Sequence, residues 1–232
     1  MNIKQFRYSS DNLAYLVYNN KTAVAIDGGA VDSILSFVKQ NDLKLKFVTN
    51  THAHPDHTLG LRSLLDRSGA LYLDSDNLFK TGYVELEGEK LSIIHTPGHT
   101  NDSVTFHGDN FLITGDTLFN GTIGNCFTGD NLLFLDSIKK LMSFPEKTVI
   151  YAGHDYYEYA MEFARVIEPQ NDNINAFLKK YNPLIVSSTL EDEFTANPYL
   201  RFNNPILVSA LKEKGFPVST EQQRWEALMS FE

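Results

Sequence analysis

The chain has 232 residues, 42% hydrophobic and 21% charged, which is enough for one sizeable core and too balanced for a disordered or fibrous protein. A formal net charge of −9 repels phosphate backbones, and no apolar run approaches the ~18 residues of a membrane span, so neither nucleic acid nor membrane is expected as a partner. The lone cysteine, Cys126, cannot form an internal disulfide, and the start, MNIKQFRYSSDNLAYLV, has no basic segment followed by an apolar one; a cytoplasmic protein, monomeric by default, is the expectation.

In chain order, LAYLVYN and TAVAIDGG read as strands, AVDSILSFVKQND as a helix and LKLKFVTNTH as a third strand. HTLGLRSLLDRSG has helical period. The short β-runs LYLDS, YVELEG, KLSIIHTPGH, VTFHGD and FLITGD follow, separated by Gly, Asn and Asp turn residues. NLLFLDSIKKLMSF is helical again and leads into TVIYAGHD, another buried strand. Strands and helices interspersed in this way predict an α+β fold in which two mixed sheets pack face to face with helices outside. After Asp155 the pattern turns amphipathic and helical (YYEYAMEFARVIE, INAFLKKY), which places a catalytic domain at 1–155 and a small, mainly helical module at 156–232.

The run His52-Ala53-His54-Pro55-Asp56-His57 puts three histidines and an aspartate into six positions on a strand-to-helix loop. Extended backbone aims His52 and His54 to one side, and Asp56 and His57 fall at the helix start. A solvated polar loop explains one such histidine well. Three crowded imidazoles repel when protonated and are better explained as neutral nitrogens around a cation. Three further strand ends stop at a Gly followed by one potential ligand: Gly98-His99, Gly115-Asp116 and Gly153-His154. Each alone reads as an ordinary turn; with the cluster they complete two sites. His95, His107 and Cys126 are expected to be structural or solvent-facing, the cysteine having no sequence neighbour that would lower its pKa. Imidazole and carboxylate donors without thiolates suit two divalent ions, zinc foremost, with iron or manganese as alternatives.

The motif order HAHPDH, PGHT, GDTLF, GHDY resembles the metallo-β-lactamase superfamily. The resemblance implies that His52, His54 and His99 bind one metal, that Asp56, His57 and His154 bind the other, and that Asp116 bridges them. Thr51 and Thr100 are then candidates to orient the ligands. The stretches GHDYYEYAMEFARVIEPQN and VSSTLEDEFTANPYLR narrow the resemblance to glyoxalase II, the hydroxyacylglutathione hydrolases, from about Ala14 to Arg201. That family implies a thioesterase acting on S-lactoylglutathione or another small acyl thioester through a hydroxide shared by the metals, with Asp56 also able to aim it. Tyr156 stands where the family uses a tyrosine to touch the thiol-bearing peptide, and Asn125 and Phe127 occupy its substrate loop. Two departures stand out. Gly124-Asn125-Cys126-Phe127 lacks the family's basic group, and near the C-terminus Arg224 survives while Ala227 stands where a Lys is usual.

Two other readings remain open at this point. A lactonase or general esterase could use the same centre, and a non-catalytic metal-binding protein could keep the fold without the pocket. A sulfur dioxygenase is disfavoured by the full second ligand set Asp56, His57 and His154.

Overall fold

The computed structural model describes residues 1–231. Strands β1 (Asn2–Tyr8), β2 (Asn12–Tyr18), β3 (Thr22–Ile26), β4 (Lys44–Thr49) and β5 (Leu71–Leu73) form one sheet in that order, β1 to β3 antiparallel and β3 to β5 parallel. The second sheet runs β11-β10-β9-β8-β7-β6, from β6 (Tyr83–Leu86), β7 (Glu89–His95), β8 (Val104–His107), β9 (Phe111–Gly115), β10 (Val149–Ala152) and β11 (Ser188–Thr189). Only β9 and β10 are parallel there, so both sheets are mixed. The helices are α1 (Val31–Gln40), α2 (Pro55–Thr58), α3 (Leu61–Ser68), α4 (Ser75–Thr81), α5 (Asn131–Met142), α6 (Tyr157–Ile167), α7 (Asn173–Leu178), α8 (Leu190–Ala196), α9 (Pro205–Glu213) and α10 (Glu221–Met229). None of them is long and apolar enough to cross a membrane.

Strands β2 and β3 are apolar almost throughout because both of their faces are covered. Leu13, Tyr15, Val17, Val24 and Ile26 point between the sheets, where they meet Val84, Leu91, Phe106 and Ile113. The alternate residues Ala14, Leu16, Ala23 and Ala25 point outward onto Ile34 of α1 and Leu64 of α3, the alanines letting the helices approach closely. On the far side, Leu112 and Ile150 lie under Ile138 of α5, Leu190 of α8, Leu207 and Leu211 of α9 and Trp225 of α10. The result is the helix-sheet-sheet-helix sandwich expected from the sequence. Strand β1 and helix α4 add to that expectation; β1 pairs along the outer edge of β2 and is only half covered, so its pattern is diluted by polar residues.

The segment after Asp155 is helical apart from β11, which extends the second sheet. It shares its core with the earlier residues: Ala160, Met161 and Phe177 join the inter-sheet cluster, while Tyr199 and Trp225 join the cluster under α5. The sheets are tied together where β4, β9 and β10 end. Leu13 N donates to the Gly153 carbonyl at 2.8 Å, Val104 N to the Thr51 carbonyl at 2.9 Å and Gly153 N to the Gly115 carbonyl at 2.8 Å. That edge carries every histidine and aspartate singled out above as a ligand.

Candidate metal centre

Beyond β4 the chain passes through Asn50 to His54 and turns into the four-residue helix α2. His54 is extended (φ −65°, ψ 146°) and Pro55 occupies the first turn, where its missing N–H costs nothing. The Asn50 side-chain amide donates to the His57 carbonyl and pins the turn. His52 and His57 are thereby buried, with His54 and Asp56 half-buried beside them. His99, Asp116 and His154 arrive from the ends of β7, β9 and β10.

The seven side chains converge. His54 Nδ1 lies 2.9 Å from His52 Nε2 and 3.0 Å from His99 Nε2. His57 Nε2 and His154 Nε2 are 3.2 Å apart, and Asp56 Oδ2 sits 3.5 Å from the first and 3.2 Å from the second. Asp116 lies between the groups, with Oδ1 3.3 Å from His57 Nε2 and Oδ2 3.4 Å from His154, 3.6 Å from His99 and 4.0 Å from His52. Glycine makes the close approach possible: a Cβ on Gly153 would stand 2.1 Å from Asp116 Oδ1, and one on Gly124 would stand 2.9 Å from His99 Nδ1.

The far nitrogens of four imidazoles are held from outside. His99 Nδ1 donates to the Asn125 carbonyl at 2.9 Å, and His154 Nδ1 to Asp11 Oδ1 at 2.9 Å. His57 Nδ1 lies 3.0 Å from buried Asp27 Oδ2. Thr51 gives its hydroxyl proton to the same oxygen at 2.8 Å, and its backbone N–H donates to Asp27 Oδ1 at 2.7 Å. The Thr51 oxygen, 3.0 Å from His52 Nδ1, then accepts that ring's proton. In each case the Nε2 lone pair is turned inward, toward the other Nε2 atoms. Lone pairs aimed at one another repel unless a proton or cation lies among them.

This arrangement fits a metal. Asp116 Oδ1 is buried without a hydrogen-bond partner, and His52–His54–His99, His52–His57–Asp116 and Asp56–His57–His154 each bring three donor atoms within 4.8 Å of one another. Without an ion, charge is shared unevenly. Burial, with His57 nearby, lowers His52 to about 4. Burial also lowers His57, but Asp27 and Asp116 more than offset it and push the ring up to about 11. His154 is raised on balance by Asp116 and Asp11 against its burial, and His99 is lowered by its burial. Burial would raise Asp116, yet His154 and His57 hold it well below the ordinary carboxylate value.

The centre opens into a cavity of about 800 Å³ lined by Asn125 and Phe127 of the loop after β9, by Tyr156, and by Phe163, Tyr199 and Phe231 from the C-terminal segment. The Tyr156 ring stacks on His154, with centroids 5.1 Å apart and planes 4° from parallel, and its hydroxyl is pushed up to about 12 by burial. Phe127 stands edge-on to His54 and His99, with centroids at 5.5 and 5.1 Å. Arg224 is placed elsewhere: its guanidinium donates to Asn203 Oδ1 and the Val218 carbonyl, and it does not line the cavity. Thr100 also departs from expectation, since its hydroxyl closes a turn with Asp102 and Ser103 and contacts no ligand. His95 binds the Asn101 carbonyl and packs on Phe79, and His107 packs on Phe144, both outside the cavity lining.

The model of the metallo-β-lactamase superfamily matches residues 10–154 in two adjoining stretches, and that of the hydroxyacylglutathione hydrolase C-terminus matches residues 155–229. A hydroxyacylglutathione hydrolase from Vibrio cholerae is 30% identical over 224 residues, covering 87% of this chain and 86% of that protein. One from Nitrosomonas eutropha is 32% identical over 214 residues, covering 84% and 83%. This chain belongs to the hydroxyacylglutathione hydrolase family of the metallo-β-lactamase superfamily. The fold is shared more widely: the crystal structure of ETHE1 from Myxococcus xanthus superimposes with a TM-score of 0.68 at 23% identity, covering 100% of this chain and 99% of that one.

Membership makes the chain a metal-dependent hydrolase with a glyoxalase II-like architecture. Within that architecture three polar residues escape the sequence reading. Asp27 and Asp11 fix imidazoles from outside the cluster, and the Asn12 amide donates to Asp56 Oδ2 at 2.9 Å. Asp11 ends the β1–β2 turn and Asn12 opens β2, where such residues are routine. Asp27 carried a usable signal, because its IDGG run ends a strand just as the ligand-bearing Gly-His and Gly-Asp segments do. Its φ of 53° sets it apart further, since a buried non-glycine residue there is held by its surroundings.

Proposed function

We propose that the chain hydrolyses acyl thioesters, with two divalent ions, zinc foremost, held by His52, His54 and His99, by Asp56, His57 and His154, and by Asp116 between the sets. The observation that carries this reading is the inward convergence of these donors around a buried, unpartnered Asp116 oxygen at the floor of a solvent-connected cavity. When bound, such ions supply a water acidified toward pH ~7 and a counter-charge for the acyl oxygen. Asp56 is the one half-exposed acidic donor, anchored by Asn12, and its free lone pairs are placed to accept a hydrogen bond from that water and aim it. Tyr156 and Phe127 flank the centre and hold the thioester against it. The thiolate leaves without needing a strong general acid, since thiols ionise near pH 8.5. Residues 1–155 supply the centre in this reading, and residues 156–232 supply much of the substrate wall. The relatives' name points to S-lactoylglutathione as the first ester to try.

The test is turnover of S-lactoylglutathione and of lactoyl esters of simpler thiols by the metal-loaded protein, alongside Asp116→Ala. The reading expects thioester turnover that falls by at least about a hundredfold in the variant, because residues that merely support metal ligands are already worth about 10–100-fold and Asp116 would hold the ions directly. Lactone turnover with no thioester turnover would replace it with the lactonase alternative.

A further inference from the structure

Among the described residues, the cavity walls carry carboxylates and no basic side chain other than histidine. Asp56 and Asp116 line it together with three histidines, and among the described residues no Lys or Arg does. Cations on neighbouring elements are already committed. Arg224 of α10 is bound to Asn203 and Val218. The two lysines of α5, whose first residue Asn131 borders the cavity, bind Glu221 at 2.6 Å and the His95 carbonyl at 3.1 Å. The centre itself offers no surplus positive charge. The carboxylates of Asp11, Asp27, Asp56 and Asp116 bring four negative charges to it, equal to the four positive charges of two divalent ions.

What remains of the wall is uncharged, with Thr122, Asn125 and Asn131 beside a large aromatic and apolar share from Phe127, Phe163, Tyr199, Met229 and Phe231, and Tyr156 at the centre. Phe127 is 65% exposed although it packs on two of the imidazoles, so a large ring is presented to whatever enters. A carboxylate on the thiol portion loses water on entering such a cavity and meets no Lys or Arg among the described wall residues, while an apolar group gains contact area. Rejection and attraction therefore act in the same direction. We propose that this cavity selects thioesters whose thiol portion bears no carboxylate and presents an apolar or aromatic group, with Phe127 as the residue that sets the preference. The inference rests on the thioesterase reading for its chemistry but on the cavity alone for its selectivity.

Two probe thiols separate charge from shape, 6-mercaptohexanoate and its isosteric amide, 6-mercaptohexanamide. Their non-hydrolysable S-acetonyl thioethers are titrated into the full-length, zinc-loaded protein by calorimetry, and their S-lactoyl esters are assayed for turnover. The amide thioether should bind about tenfold tighter or better, as expected for one unmet charge-assisted contact, and Phe127→Lys should narrow or reverse the gap. Equal binding, or tighter binding of the carboxylate, by the unaltered protein overturns the proposal whatever the variant does. If the amide binds preferentially while neither lactoyl ester turns over, the selectivity stands and the thioesterase reading fails on its own.

Discussion

Asp27 accepts the Thr51 hydroxyl and backbone N–H and lies against His57, so one buried carboxylate orients residues on both sides of the His52–His57 loop. Asp27→Asn keeps its shape and removes its charge. We expect metal affinity to fall about 10–100-fold with the fold intact, measured by competition with a chromophoric chelator. The proton inventory gives a second expectation. His57, pushed up to about 11 by Asp27 and Asp116 against its burial, holds a proton at neutral pH in the metal-free chain, whereas His52, lowered to about 4 by its burial, holds none. Metal loading at pH 7 therefore displaces at least the His57 proton, and affinity must weaken as pH falls because protons compete for the donor nitrogens. Calorimetry in buffers of different ionisation enthalpy counts the protons; a count near zero would contradict the assignment. At this scale the sequence disclosed the donors, whose types and spacing are unusual, but hid Asp11, Asn12 and Asp27, which have the identities of common turn residues and act only through contacts distant along the chain.

The elements matter chiefly through where they stop. Strands β4, β9 and β10 end on the same edge, and the ends of β9 and β10 are shaped by Gly115 and Gly153, which have no room for a side chain. Gly115 has φ +50°, and a Cβ there would lie 2.4 Å from Thr51 Oγ1, in the chain that orients His52. Gly115→Ala should cost stability by about 1–3 kcal/mol and weaken metal binding in the same protein, read from denaturant unfolding with and without metal. Helix α8 acts at a distance. Its buried Glu193, pushed up to about 7 by burial against its hydrogen bonds from Ser188 and Asn197, accepts the Gly121 N–H and so holds the loop that descends to Asn125 and Phe127. Strand and helix identities were legible because buried strands read as unbroken apolar runs and covering helices keep their period. The loop after β9 was legible only as a departure from a family pattern, since it is held in part by Glu193, 72 residues beyond Gly121.

At the scale of the whole molecule the C-terminal segment is a structural part of the sandwich as well as a wall of the cavity. Its side chains enter both major clusters, β11 extends the second sheet, and Arg201 pairs with Glu168 where both are buried. Glu168→Ala leaves that guanidinium uncompensated and should destabilise the chain by about 3–5 kcal/mol, with thermal unfolding remaining a single transition. Two separated transitions would show that the segment folds apart from the sandwich. Helical content after Asp155 could be read from periodicity. The shared core could not, because Trp225 and Phe134, or Phe177 and Met161, meet only through the tertiary fold. The central claim, that this edge is a two-ion thioesterase centre, is tested most directly by adding zinc stepwise to the metal-free protein while following hydrolysis of a lactoyl thioester. The account predicts negligible turnover without metal and a rise that levels off at about two equivalents. Full turnover in the absence of metal, or none with two equivalents bound, would contradict it.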